Sequence, residues 1–260
     1  MKLSIFENKE KFVALFGILK NASSIINIYI NNEILHLQGM DKSHVCLYDC
    51  TINKDWFDTF EKDTQEMETI CFDTHTFYSI INSCHTNQII NIHYSKSADT
   101  IHIDLMNNEK DEKREFNKYF KIPLVNYDHE LIKIPTVEYE AEIKINSKKI
   151  YDIISQMSSF GNDVQILCLD DAIELVTEGM NGEMMVKIPM DDLIEFAICE
   201  GENINILYSL NYIHKMCVST KLSNEIEFFI SVDSPMKIKY DLGKNSYLLF
   251  FIAPKISEKD

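Results

Sequence analysis

Within the stretch Leu37-Gln38-Gly39-Met40-Asp41-Lys42-Ser43-His44-Val45, an aspartate, a serine and a histidine fall within four residues. Asp41 and His44 have the chemistry of an acid–base pair, and Ser43 that of a nucleophile. A hydrolytic centre also needs a group that orients the base and donors that hold an oxyanion, and the neighbouring sequence supplies neither. Cys46 and Cys50, with His44 close by, suggest thiolate and imidazole metal ligands. Strand alternation puts the two cysteines on one face with no second ligand pair in reach, so buried free thiols are the better reading. No GxGxxG, P-loop or His-Glu-x-x-His pattern occurs elsewhere. No metal or cofactor is expected. A hydrolase built on Ser43, His44 and Asp41 is therefore disfavoured.

The elements that position this stretch follow from hydrophobic periodicity. Apolar residues at helical spacing predict helices over Phe77, Ile80, Ile81 and Cys84 and over Ile150, Ile153, Ile154 and Met157. Further helices are expected over Glu10 to Lys20, burying Phe12, Phe16 and Leu19, and over Ser209 to Ser219, burying Ile213 and Met216. Most of the remainder alternates at period two, as in Ile89 to Tyr94, Thr100 to Leu105 and Glu225 to Ile230, which predicts half-buried strands. The order of elements repeats, with the Lys9 to Leu37 block corresponding to Ser147 to Val176 and the Phe77 helix to the Ser209 helix. A polar stretch bounded by prolines, Pro123 to Pro135, suits an exposed connector. The expected organisation is a domain over 1–122, a connecting loop over 123–135 and a second domain over 136–260.

Composition agrees with a folded, strand-rich chain. Of 260 residues 45% are hydrophobic and 11% aromatic, with only 7 glycines and 5 prolines, which argues against disorder. Seven cysteines, an odd number without close pairing, favour free thiols in a reducing compartment. The longest apolar runs, such as Tyr247 to Pro254, fall far short of the roughly 20 residues of a membrane span. The N-terminus meets charge at Lys2 and Glu7 before a signal-type apolar region forms, so a soluble intracellular protein is expected. A net charge of −16 disfavours gripping nucleic acid by phosphate neutralisation, unless topology rather than affinity holds the partner.

Leu37 to Val45, together with Ala253-Pro254-Lys255-Ile256 near the other end, resembles the two walls of the partner-docking pocket of the eukaryotic-type DNA sliding clamp, the proliferating cell nuclear antigen family. The resemblance runs over nearly the whole chain. It implies an α+β fold of two similar DNA-clamp domains, with helices lining the inside of a ring and antiparallel sheets outside. It also implies a non-enzymatic processivity factor that encircles duplex DNA as a homotrimer. DNA polymerase, clamp loader, flap nuclease and ligase would dock through short motifs with one aliphatic and two aromatic anchors.

Carried over position by position, the pocket comprises Met40, His44 and Val45 on the first wall, Ile132, Ile134 and Tyr139 on the connector side and Pro235 at the floor. Phe251, Ala253, Pro254 and Ile256 form the tail, whose backbone would pair with the incoming peptide. Phe251 stands where the family more often has tyrosine. The strand Phe116 to Ile122, with Phe116, Tyr119 and Phe120, would be one closing edge of the ring, and Glu183 to Ile188, with Met184 and Val186, the other. The charged run Asn107 to Lys118 reads as a solvated hairpin tip.

The helical faces opposite the buried stripes are where the family points lysines and arginines at DNA. Here they carry His75, Ser79, Asn82 and Thr86, or Asp152, Ser155 and Ser159, and only Lys20, Lys148, Lys149 and Lys215 suit phosphate. A weak grip on DNA is therefore expected, with retention depending on loading and closure. Asp170 stands at the family's modified lysine, so ubiquitin conjugation is not expected there. The competing reading is a clamp-like scaffold, or one subunit of a heterotrimeric clamp, that binds partners without forming a homotrimeric ring.

Overall fold

The computed structural model describes residues 1–62, 66–96, 98–108, 115–126, 130–199, 201 and 204–255. The chain divides into two compact units. One holds Met1–Met40, Tyr48–Ile132 and Leu242–Tyr247; the other holds Asp41–Leu47, Lys133–Asp241 and the chain from Leu248 onward.

The elements of the first half are β1 (Lys2–Ile5), α1 (Lys9–Ala22), β2 (Ile25–Ile30), β3 (Ile34–Met40), β4 (Cys46–Asn53), β5 (Thr59–Glu61), β6 (Glu68–Asp73), α2 (Thr74–Asn82), β7 (Gln88–His93), β8 (Thr100–Asn107) and β9 (Lys118–Pro123). In the first unit β5-β1-β7-β8-β9 form an antiparallel sheet with β9 at its edge. β6-β2-β3 form a second layer, with the Tyr48–Asn53 part of β4 beside β3. The alternating burial of β7 and β8 sends Ile90, Ile92, Ile101, Ile103 and Leu105 inward. Phe12, Phe16 and Phe77 pack with tilted or edge-on rings 4.5–6.2 Å apart between α1 and α2, and Trp56 closes the cluster 6.3 Å from Phe12. These centroid separations are those at which aromatic pairs add to simple burial.

The second half repeats the succession: β10 (Ala141–Asn146), α3 (Ser147–Met157), β11 (Asp163–Cys168), β12 (Ala172–Gly179), β13 (Gly182–Pro189), β14 (Glu195–Ile198), β15 (Ile204–Ser209), α4 (Leu210–Cys217), β16 (Glu225–Ser231), β17 (Ser234–Gly243) and β18 (Ser246–Ile252). Its sheets run β14-β10-β16-β17-β18 and β13-β12-β11-β15, strand for strand the order of the first unit, with β13 at an edge. The repeat read from the order of elements is present, and the fold is α+β. Here the core is largely aliphatic, with Tyr208, Tyr240 and Phe250 fully buried as well. Ile143, Ile154, Ile166, Leu175, Ile213 and Phe228 line an apolar space of about 30 Å³. That is near one water in size, with no polar atom to hold a water.

Each predicted helix forms, with small departures at the ends. Asp73 caps α2 by accepting the Thr76 N–H at 2.7 Å, and Asn146 caps α3 by accepting those of Lys148 and Lys149 at 3.1 Å. α2 stops at Asn82, so Cys84 lies beyond it and is half-buried, as is Ile80; the buried stripe is Thr74, Phe77 and Ile81. β9 begins at Lys118, so Phe116 precedes the strand in which it was expected and stands 89% exposed. Of the charged run expected at a hairpin tip, residues 109–114 lie outside the described residues.

Candidate partner-docking site

The second unit carries most of the residues assigned to docking. Its organising group is Asp41. One carboxylate oxygen accepts the backbone N–H groups of Val45 (2.8 Å) and Cys46 (2.7 Å), and the other accepts the Ser43 N–H (3.0 Å) and the Tyr212 hydroxyl (2.8 Å). Two backbone bonds close the loop, Asp41 N–H to Cys46 O at 2.9 Å and His44 N–H to Asp41 O at 3.1 Å. Burial alone would raise the Asp41 pKa. The hydrogen bonds from Cys46, Tyr212, Ser43 and Val45 outweigh it and hold the carboxyl below its ordinary value. Those bonds also stabilise His44 in the left-handed region at φ 57°, which an L residue adopts at a cost. The histidine is exposed and Val45 half-buried.

This geometry gives Asp41 a structural use. Asp41 spends its oxygens on the loop backbone and on Tyr212, and no hydrogen bond joins it to the His44 ring among the described residues. Cys46 and Cys50 are both buried, and burial pushes the Cys46 thiol up to about 12, which leaves it protonated. No group of three potential metal ligands occurs among the described residues.

The tail lies against this loop. Ala253 N–H donates to Val45 O at 3.0 Å and Lys255 N–H to Leu207 O at 2.8 Å, and the Lys255 ammonium meets Asp163 at 2.6 Å. Pro254 has no N–H. Residues 253–255 therefore offer no free N–H, and a strand added there would be held through carbonyl oxygens, a narrower contact than full backbone pairing. Ile256 lies outside the described residues.

Tyr139 packs its ring 5.6 Å from Phe229, and the Lys237 ammonium sits over both rings, 4.6 Å and 3.6 Å from their centres. Burial holds the Lys237 pKa below its ordinary value. The sequence contained this cluster in its strand alternation, since Phe229 pairs with Lys237 in register and both point to one face of the sheet. Ile134 and Phe251 are half-buried and Pro235 is exposed at the start of β17.

Met40 and Ile132 belong to the first unit. There Gln38, 2% exposed, grips the peptide group of Ile132 from both sides: its Nε2 donates to Ile132 O at 3.0 Å, and its Oε1 accepts Ile132 N–H at 2.7 Å. The same Nε2 donates to Asp49 at 2.9 Å, and the His36 ring meets the same Asp49 oxygen at 2.9 Å. The chain leaving the Pro123 end is thus fixed at Ile132. Gly39, the next residue, faces the Tyr48 hydroxyl so closely that a Cβ there would lie 2.4 Å from it.

The lysines assigned to DNA divide in two. Lys148 and Lys149 are exposed at the start of α3, whereas Lys20 lies 3.9 Å from the Tyr78 ring centre and Lys215 6.0 Å from that of Tyr212. His75, Ser79 and Asn82 are exposed on α2, and Asp152 on α3. Among the edge residues Tyr119 is 66% exposed, and Phe120, Met184 and Val186 are half-buried. Tyr212 was not legible as a site residue, because no local pattern joins it to Asp41 across 171 positions.

Two family models match in tandem. One, described as the proliferating cell nuclear antigen N-terminal domain, matches residues 5–131, and the other, the C-terminal domain, residues 133–255. The chain is 24% identical over 247 residues to "Proliferating cell nuclear antigen" of Chaetomium thermophilum, covering 93% of each chain. It is 25% identical over 255 residues to "Proliferating cell nuclear antigen 2" of Plasmodium falciparum, covering 95% of this chain and 96% of that one. No described helix is long and apolar enough to cross a membrane.

Proposed function

The chain belongs to the proliferating cell nuclear antigen family of DNA sliding clamps and processivity factors, and from that premise we propose that it closes as a homotrimeric ring around duplex DNA. In this reading residues 1–122 and 136–260 are the two clamp domains of each subunit and 123–135 the loop connecting them. The ring closes by pairing β9 of one subunit with β13 of the next. That contact is heterologous, and a rotation of one third of a turn closes it. The support is that both strands end their sheets, which leaves backbone groups unpaired, with Tyr119 and Met185 exposed beside them. Phe116, Phe120, Met184 and Val186 complete the proposed contact.

The protein acts without catalysis. DNA polymerase, clamp loader, flap nuclease and ligase dock through short motifs on Met40, His44, Val45, Ile132, Ile134, Tyr139, Pro235, Phe251, Ala253, Pro254 and Ile256. The clamp raises the concentration of the docked polymerase at the primer end and leaves its chemistry unchanged. Lys20, Lys148, Lys149 and Lys215 are the residues offered to the phosphate backbone, in the nucleus or at a viral replication site. The observation that carries the reading is the tandem match of both domain families over residues 5–255.

Size-exclusion chromatography with light scattering at several concentrations tests ring closure. A mass near three times the 30.3 kDa chain is expected. A persistent monomer overturns the homotrimer and favours a scaffold or a heterotrimeric assembly.

A further inference from the structure

The Asp41–Cys46 loop has two kinds of support. Three of the four donors to the Asp41 carboxylate, the N–H groups of Ser43, Val45 and Cys46, belong to the loop itself and fix its internal shape. The fourth, the Tyr212 hydroxyl, comes from the first turn of α4. Internal bonds set the shape of a turn without fixing its direction, because a loop closed on itself still pivots about its two stems. A bond to a separate rigid element removes that freedom, and here it ends on a charged acceptor, the stronger class of hydrogen bond.

We propose that Tyr212 is a positioning residue of the docking site, aiming His44 and Val45 by tying the loop carboxylate to α4. This rests on the docking reading above. Val45 O in turn receives the Ala253 N–H, so the orientation set by Tyr212 is passed to the tail. The titratable groups facing Asp41 are the Tyr212 phenol and the Cys46 thiol. Lys215, on the same helix, approaches the ring of Tyr212, and Asp41 makes no ion pair among the described residues.

With its folded pKa below the ordinary aspartate value, Asp41 contributes order that is full above that ordinary value. The contribution is lost as pH falls through the folded pKa. Removing the tyrosine hydroxyl raises the folded pKa, so the loss begins at higher pH.

The test compares the wild-type protein with Tyr212→Phe, which keeps the ring and its packing. Binding of a synthetic peptide with one aliphatic and two aromatic anchors is followed by fluorescence anisotropy across pH, and the Asp41 carboxyl is titrated by carbon NMR. The expected result is a roughly five- to tenfold weaker affinity at neutral pH, the scale of a charge-assisted hydrogen bond lost at a partly exposed site. The acid limb of binding and the Asp41 titration should both move upward in pH. A merely structural tyrosine would lower stability and move the Asp41 titration, but leave the affinity and its acid limb in place. Wild-type affinity in Tyr212→Phe, or an unmoved Asp41 titration, overturns the proposal. If the wild-type protein itself fails to bind the peptide, the docking reading falls and the positioning role falls with it, while the titration still reports whether the tether exists.

Discussion

Gln38→Leu is the substitution that most directly probes how the connector is held. Glutamine contributes three hydrogen bonds here, two to the Ile132 peptide group and one to the Asp49 carboxylate. Ile132 is half-buried, so water replaces much of what its N–H and C=O lose. Asp49 is 7% exposed and, among the described residues, keeps only the His36 ring as a side-chain partner. A bond to a charged acceptor is worth about 1.5–3 kcal/mol and each neutral one about 0.5–1.5 kcal/mol. Discounting the pair at Ile132 leaves an expected loss of about 3 kcal/mol.

Native-state hydrogen exchange reads this locally, as the opening free energy of the Ile132 amide, and urea unfolding reads it globally. Gln38→Glu sharpens the test. It preserves an acceptor for Ile132 N–H but sets a second carboxylate against Asp49, so its damage should exceed that of leucine at neutral pH and shrink in acid. A change below about 1 kcal/mol in Gln38→Leu, with Ile132 still protected, would refute the argument that this side chain fixes the connector.

Three further outcomes are expected. The buried Lys9 ammonium donates to the carbonyls of His85, Thr86 and Gln88. Lys9→Met should therefore cost about 2–4 kcal/mol and lower the melting temperature by several degrees; an unchanged melt would contradict that role. Gly39→Ala drives a methyl into the Tyr48 ring and should destabilise by about 1–3 kcal/mol in urea unfolding, whereas a neutral result would mean that β3 and β4 are less closely apposed. With four candidate lysines per chain, the slope of log affinity for duplex DNA against log salt should not exceed about 3.6 per chain, and Lys148→Gln with Lys149→Gln should flatten it by about 1.8. A steeper slope would show phosphate contacts elsewhere.

Periodicity made the helices and their buried faces legible, because a stripe such as Phe77 and Ile81 has one physical use, covering a sheet. The repeated order of elements was legible for a related reason, since each half must bury its own core. What pattern could not give were contacts that join distant positions or reverse a residue's habit. Lys9 is among the least exposed polar residues although lysine is ordinarily solvated, because three carbonyls near the end of α2 receive it. Gly39 sits inside a strand, where glycine signals a close approach without naming the partner, Tyr48. Phe116 shares the composition of the strand after it, and only the hydrogen-bonded register sets the boundary at Lys118. At the candidate site, Met40 to Val45 stood out as a motif, but the chemistry of Asp41 as an organiser of backbone N–H groups required the loop conformation.

Encirclement is the central claim, and a topological assay addresses it without reference to affinity. The protein is assembled on a nicked circular duplex by a clamp loader, or by mass action at high concentration, then passed through gel filtration in high salt before and after the circle is cut. Retention on the circle with release on linearisation is predicted, since so few lysines cannot hold it by charge. Equal loss from circular and linear DNA, or equal retention on both, would contradict the ring.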